Sequence, residues 1–158
     1  MIATLTSIAT SRSGRILPPL AWIALSFYLS HQPTLPYPEG LDAKIISTMG
    51  HVGVFGVLSV LIWWALGIRS DGADRAAGSS EGRPVPSGGF SLALGRREWL
   101  AIALTVAYGF IDEWHQSFVP GRTPDWRDIV ADTIGAILAM LVVRWIAAQV
   151  ERRQERAG

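Results

Sequence analysis

The 158-residue chain contains no cysteine. Disulfide scaffolds, thiolate nucleophiles and zinc–thiolate sites are therefore excluded. The sequence also lacks a glycine-rich loop of the kind that cradles phosphates, and a basic surface interleaved with aromatic residues of the kind that binds nucleic acid. The loops must be held in place by the elements they connect, and we expect no nucleic-acid partner.

Charged residues are missing from long stretches of the chain. Residues 45–68 contain no Asp, Glu, Lys or Arg, and residues 129–143 contain a single charged side chain. Hydrophobic residues make up 49% of the sequence, and the mean hydropathy is +0.29. About 20 mostly apolar residues cross a bilayer. We therefore predict an all-α, polytopic membrane protein, a single domain over residues 1–158, with four transmembrane helices at about 14–30, 45–68, 98–119 and 126–148.

The first of these spans has the weakest pattern. Its apolar run is short and carries Pro18 and Pro19, which are tolerated near the start of a helix. The run could also be a secretory signal, because Arg12 and Arg15 precede it. The residues that follow it, 30–33, do not form the small-x-small pattern of a cleavage site. We therefore predict an uncleaved span.

The basic residues are distributed unevenly between the two sides of the predicted spans. Arginines at 12–15, 69–97 and 152–156 fall on the side of the termini, whereas the opposite side has only Lys44, Arg122 and Arg127. Positively charged loops stay in the cytoplasm. The sequence thus predicts a bacterial cytoplasmic-membrane protein with both termini inside. Residues 69–97, rich in Gly, Ser and Pro, are interpreted as a flexible cytoplasmic loop.

Polar side chains are concentrated where the third and fourth spans meet. A charged group near the centre of a membrane helix is disfavoured by roughly 2.5–3.5 kcal/mol, so such a cluster is a functional-site hypothesis. Side chains four residues apart share a helical face. Asp112 and Gln116 form one such pair, and Asp128 and Asp132 form another. His51, at the outer end of the second span, is expected at the same depth, and His115 is a weaker candidate. The clustered residues are Asp112, Glu113, Gln116, Arg122, Asp128 and Asp132.

The acidic residues at the start of the fourth span have structural interpretations as well. Asp125 is well placed as an N-cap, and Asp128 is equally compatible with a helix-dipole role and with a site. Asp132 lies a turn deeper, where capping no longer applies. Its expected buried partner is His51, Arg122 or a protonated carboxyl group, because like charges in a dry site cannot all be ionised.

Two further residues shape the predicted site. Gly135 would let a neighbouring helix approach closely. Arg122 lies in the turn formed by residues 120–122 and could pair with Glu113 or Asp128, while its planar fork also suits a phosphate or carboxylate of a ligand.

These residues resemble the VanZ-like family of small bacterial membrane proteins, named for a factor associated with resistance to teicoplanin. The resemblance covers about 30–135. It implies a helical membrane fold and a link to envelope-acting antibiotics, but no particular reaction. The chain departs from the family at Asp132, where the family commonly has Asn, and in the wider gap between the Asp42/Lys44 region and His51. The long segment 69–97 also looks like an insertion. The matching motifs are Tyr108-Gly109, Asp112-Glu113-x-x-Gln116, Pro120-Gly121-Arg122, Asp128 and Gly135.

Three functions fit these observations. The first is an outward-facing enzyme for a lipid-linked or anionic envelope substrate. The second is a non-catalytic envelope or resistance factor, and the third is a small proton-coupled transporter. Membrane lipids are expected partners, and no cofactor is implied. A metal-dependent form of the enzyme is an alternative because histidine and carboxylates converge, but the spacing matches no closed ligand motif, so no metal site is predicted. In the enzyme, His51, Asp112 and Glu113 are the catalytic candidates, and Gln116, Arg122, Asp128 and Asp132 are the substrate-binding candidates.

Overall fold

The chain folds into four α-helices in the computed structural model, which describes residues 12–32, 42–67 and 93–157. No strand occurs in these ranges, so the predicted all-α class is confirmed for them. Most of the predicted loop 69–97 lies outside the described residues. The helices are α1 (Arg12–Ser30), α2 (Ala43–Leu66), α3 (Arg96–Gln116) and α4 (Trp126–Ala157).

Local sequence signals explain where the helices start and stop. Asp42 caps α2 by accepting a hydrogen bond from the backbone N–H of Lys44 at 2.8 Å. The predicted cap of α4 is confirmed, because the Asp125 carboxylate accepts the backbone N–H of Arg127 at 3.0 Å. Helix α3 ends at Gln116, three residues before the predicted end of the third span. Helix α4 continues well beyond residue 148.

A tight turn follows the end of α3. The backbone N–H of Arg122 donates to the carbonyl of Val119 at 3.1 Å, which closes a four-residue turn around Pro120 and Gly121. Gly121 has a φ of 84°, a left-handed conformation that glycine adopts without steric cost. This turn sends the chain back toward the start of α4.

Contacts between helix ends show that successive helices run in opposite directions. At one end, the Arg97 guanidinium of α3 donates to the carbonyl oxygen of Trp63 in α2 at 2.8 Å. At the other end, Lys44 of α2 pairs with Asp125, which caps α4. An antiparallel arrangement of successive helices is typical of a helical bundle.

Small residues allow α2 and α4 to pack closely. A Cβ atom added to Gly135 would lie 2.3 Å from the backbone oxygen of Val52, and one added to Gly56 would lie 3.2 Å from the backbone oxygen of Gly135. The predicted close approach at Gly135 is therefore confirmed. It brings the polar residues in the first two turns of α4 against the first half of α2.

The bundle has an apolar exterior. Helices α2 and α4 are long and apolar enough to cross a membrane, whereas α1 and α3 do not meet that criterion among the described residues. Helix α1 includes two prolines, and α3 carries charged residues near both ends. Leu17, Phe110 and Leu138 are at least half exposed on the surface. The four-span arrangement stays a prediction.

Candidate functional site

A histidine and an aspartate from different helices form the centre of the polar cluster. Nδ1 of His51 in α2 lies 2.9 Å from Oδ1 of Asp132 in α4. Asp132 is 1% exposed, and the His51 ring stacks at 5.8 Å on Phe55 one turn further along α2. Because a carboxylate accepts, Nδ1 is the nitrogen that donates. Of the partners expected for Asp132, the structure supplies His51.

Two further carboxylates lie near the imidazole of His51. Its Nε2 lies 3.8 Å from Oδ2 of Asp128, which is one turn before Asp132 on α4. Glu113 of α3 completes the group: one nitrogen or oxygen from each of His51, Glu113 and Asp128 lies within 4.8 Å of the others. Three helices thus converge on one imidazole.

Glu113 is held by the start of the next helix. Its Oε2 accepts the backbone N–H of Asp125 at 2.7 Å, so the side chain connects the end of α3 to the N-terminus of α4. Glu113 is only 6% exposed, and Oε1 has no hydrogen-bond partner among the described residues. A buried carboxylate oxygen without a partner is unfavourable unless another group satisfies it.

The predicted pair on the last turn of α3 forms a hydrogen bond. The amide Nε2 of Gln116 donates to Oδ2 of Asp112 at 2.9 Å, and both residues are buried. The other oxygen, Oδ1 of Asp112, lacks a partner within the described ranges. Asp112 is therefore a second buried carboxylate with unused hydrogen-bonding capacity.

Gly109 provides the space for Asp132, a role the sequence reasoning missed. A Cβ atom at Gly109 would lie 2.7 Å from Oδ2 of Asp132. Glycine in a helix interior lowers stability by roughly 0.5–1 kcal/mol relative to alanine. A glycine inside the predicted third span was therefore the signal in the sequence that could have indicated this role. Because Gly109 has no side chain, the Asp132 carboxylate of α4 can lie close to the backbone of α3.

Arg122 lies apart from the carboxylates. Its Nε donates to the carbonyl oxygen of Gln32, just after α1, at 2.9 Å. No salt bridge joins Arg122 to a carboxylate in the described part of the chain, so the expected pairing with Glu113 or Asp128 is wrong in this structure. The turn at Gly121 directs Arg122 toward the end of α1 instead. Its predicted role in holding an anionic ligand stays a prediction.

Lys44 has a defined partner at the outer rim of the cluster. Its ammonium group pairs with Asp125, the cap of α4. This hydrogen bond, together with the backbone N–H of Arg127, holds the pKa of Asp125 below its usual range. The carboxylate therefore remains ionised and links the starts of α2 and α4.

His115 lies in a separate aromatic contact. Its ring stacks on Phe27 of α1 at 3.9 Å, and its Nε2 lies 3.3 Å from Nδ1 of His31. These contacts join the ends of α1 and α3. Of the two histidines considered as candidates, His51 belongs to the cluster and His115 does not.

The charges in the cluster do not balance. The cluster has four carboxyl groups and a single imidazole, while Lys44 pairs with Asp125 and Arg122 donates to the carbonyl oxygen of Gln32. Neighbouring carboxylates in a water-poor site cannot all be ionised without compensation. The cluster therefore contains more acidic than basic side chains. The four carboxyl groups are those of Asp112, Glu113, Asp128 and Asp132.

Comparison with known proteins identifies the chain. The family model described as VanZ/LLP1 matches residues 4–147. No curated protein and no solved structure matches significantly. The match includes every residue of the cluster, and with two helices able to cross a bilayer it indicates a membrane protein. Nearly the whole chain is covered, and the protein therefore belongs to the VanZ/LLP1 family.

Proposed function

We propose that this VanZ/LLP1 protein is an envelope enzyme that acts on an anionic, lipid-linked substrate at the outer face of the bacterial cytoplasmic membrane. Its reaction centre is the buried cluster around His51. Family membership supports a membrane protein linked to the envelope or to antibiotic resistance, and resistance to a glycopeptide such as teicoplanin is the expected cellular effect.

The observation that carries this proposal is the arrangement of His51. Asp132 accepts the hydrogen bond from Nδ1, which fixes the ring and leaves Nε2 facing Asp128, and Glu113 belongs to the same group of ligand-type side chains. An imidazole oriented by a buried carboxylate is well suited to accept a proton or to hold a Lewis acid. A purely structural histidine does not require three carboxyl groups around it.

The position of the cluster along the helices supports access from one membrane face. Asp112 and Glu113 lie in the last turn of α3, while Asp128 lies in the first turn of α4 and His51 in the third turn of α2. With the orientation predicted from the arginines, all of these ends face outward. A substrate with its head group outside the membrane could therefore reach the cluster.

The opposite half of the bundle favours an enzyme over a transporter. Ala101, Ile102, Ala136 and Met140 form a buried apolar core there, packed against Trp63 and other hydrophobic residues. A proton-coupled transporter requires polar groups along its path. Among the described residues, the buried polar groups toward this half are the hydroxyls of Ser59 and Thr105, and no charged side chain is buried there.

Drug susceptibility of cells that express single variants tests the proposal. The wild-type chain should reduce teicoplanin susceptibility of a susceptible host, and His51→Gln and Glu113→Gln should abolish this effect at normal membrane abundance. The matched controls are His115→Gln and Glu151→Gln, which alter the same residue types outside the cluster and should retain it. Normal resistance in cells with abundant His51→Gln protein would contradict the assignment of the reaction centre.

A further inference from the structure

We propose that His51, Glu113 and Asp128 bind a divalent transition-metal cation, Zn²⁺ or Mn²⁺. The three residues come from three different helices, and one possible ligand atom from each lies within 4.8 Å of the others. A bound ion needs each of these atoms at about 2.0–2.2 Å.

The surroundings of His51 match those of a metal ligand. A metal-binding histidine almost always donates its other ring N–H to a carboxylate or carbonyl, which fixes its tautomer and raises its basicity. In this protein Nδ1 donates to Asp132 at 2.9 Å, and Nε2 faces Asp128. Asp132 is thus a positioning residue, and it is not one of the three ligands.

Glu113 gives an independent indication of a ligand. One of its oxygens, Oε2, is fixed by the backbone N–H of Asp125, and the other, Oε1, is buried without a partner in the described part of the chain. The residue is 6% exposed, so water does not readily satisfy that oxygen. A cation coordinated by Glu113 would compensate its charge and use its free oxygen.

Charge and ligand chemistry together define the class of ion. A divalent cation would neutralise two of the clustered carboxylates, which removes the imbalance around His51. Imidazole nitrogen suits Zn²⁺ and related ions better than Mg²⁺ or Ca²⁺, while carboxylate oxygens also suit Mn²⁺. Three protein ligands leave a coordination position for water or for an anionic group of a substrate.

This inference rests on the proposed function, because it names the cofactor of the same cluster. It makes His51 and Glu113 cation ligands and leaves Asp112, which is buried but outside the ligand group, for proton transfer. It also departs from the prediction of no metal. Spacing along the sequence did not reveal the site, because each helix contributes a single ligand.

Direct binding to the purified full-length protein tests the site. After removal of metals with a chelator, the detergent-solubilised chain should bind one equivalent of Mn²⁺ or Zn²⁺, measured by electron paramagnetic resonance and calorimetry. It should bind Mg²⁺ and Ca²⁺ more weakly. Glu113→Gln and Asp128→Asn should each lower the affinity at least about tenfold, since even outer-shell changes cost about 10–100-fold. His115→Gln and Glu151→Gln should bind like the wild type.

The variants also keep this inference distinguishable from the proposed function. Glu113→Gln retains an oxygen for the N–H of Asp125, and thermal unfolding confirms that each variant is folded. The metal site would be overturned if the wild type bound neither Mn²⁺ nor Zn²⁺, or if folded Asp128→Asn bound them as tightly as the wild type. In either case, loss of resistance in Glu113→Gln would still support the proposed function. Metal binding that disappears in both variants while resistance stays normal would support the site and overturn the function.

Discussion

At the scale of single residues, the role that can be assigned to His51 depends on the side chains around it. A lone histidine in an apolar helix is often a satisfied hydrogen-bonding group between helices. Here the ring is fixed by Asp132 on one side and faces Asp128 and Glu113 on the other. The same imidazole without these carboxyl groups would indicate packing alone.

Two substitutions of Asp132 separate hydrogen bonding from charge. Asp132→Asn keeps an oxygen that accepts the His51 N–H, so we expect abundance and thermal stability close to wild type. Asp132→Ala leaves a buried donor unpaired and should lower the free energy of unfolding by about 1–3 kcal/mol. Thermal unfolding of the solubilised proteins measures both. If the asparagine variant were as unstable as the alanine variant, the negative charge, rather than the acceptor, would be essential.

At the scale of helices, close packing of α2 on α4 brings the cluster together. Gly135→Ala would place a methyl group 2.3 Å from the backbone oxygen of Val52, so the helices must move apart. Overpacking of this kind costs typically about 1–3 kcal/mol. The matched control is Gly53→Ala, where a Cβ meets nothing within 4 Å and a gain of about 0.5–1 kcal/mol is expected. Thermal unfolding should show shifts of opposite sign, and equal shifts would contradict the described interface.

The pair between Lys44 and Asp125 predicts a small dependence of stability on pH. The pKa of Asp125 is lowered in the folded protein by Lys44. The pair therefore stabilises the fold above the ordinary aspartate pKa of about 3.9 and loses this effect as the pH falls through the lower folded value. The lysine is 56% exposed, so the effect is small.

Acid unfolding of a variant measures this contribution. Lys44→Gln should lose less stability than wild type between about pH 5 and 2, because its Asp125 titrates closer to the ordinary value. Arg153→Gln, which removes an exposed cation from the C-terminal part of α4, should follow the wild-type curve. Identical acid unfolding of the Lys44 variant and the wild type would show that the pair does not affect stability.

At the scale of the whole molecule, the orientation of the bundle decides whether the cluster faces outward. Because the chain has no cysteine, single cysteines can report on each side. Thr123→Cys lies in the exposed turn before α4, and Gln154→Cys lies in its exposed final turns. An impermeant thiol reagent added to intact cells should label position 123 and leave position 154 unlabelled until the cells are lysed. The reverse pattern would place the cluster on the cytoplasmic face.

The sequence by itself determined the features that depend on neighbouring residues. The lengths of the apolar runs predicted four helices, and every observed limit except the end of α4 lies within a few residues of the prediction. Helix α4 continues to Ala157 because helix formation does not stop where the apolar run ends. The cap at Asp125 was predictable, since a cap acts within three residues. The close contact at Gly135 was predictable from the small residue alone, although its partner on α2 was not.

Only the tertiary structure decided which polar groups meet. His51 and Asp132 are 81 residues apart, and their contact depends on how α2 packs against α4. Arg122 is close to the acidic residues in sequence but does not pair with them. The left-handed conformation of Gly121 directs it toward the carbonyl oxygen of Gln32 instead. Spacing along the sequence predicts which side chains share a face of one helix. The distances between side chains on different helices depend on how each helix is rotated about its axis and shifted along it relative to its neighbours. For this reason the acidic character of the site and the depth of His51 were predictable from the sequence, while the particular contacts of its imidazole with Asp132 and Asp128 were not.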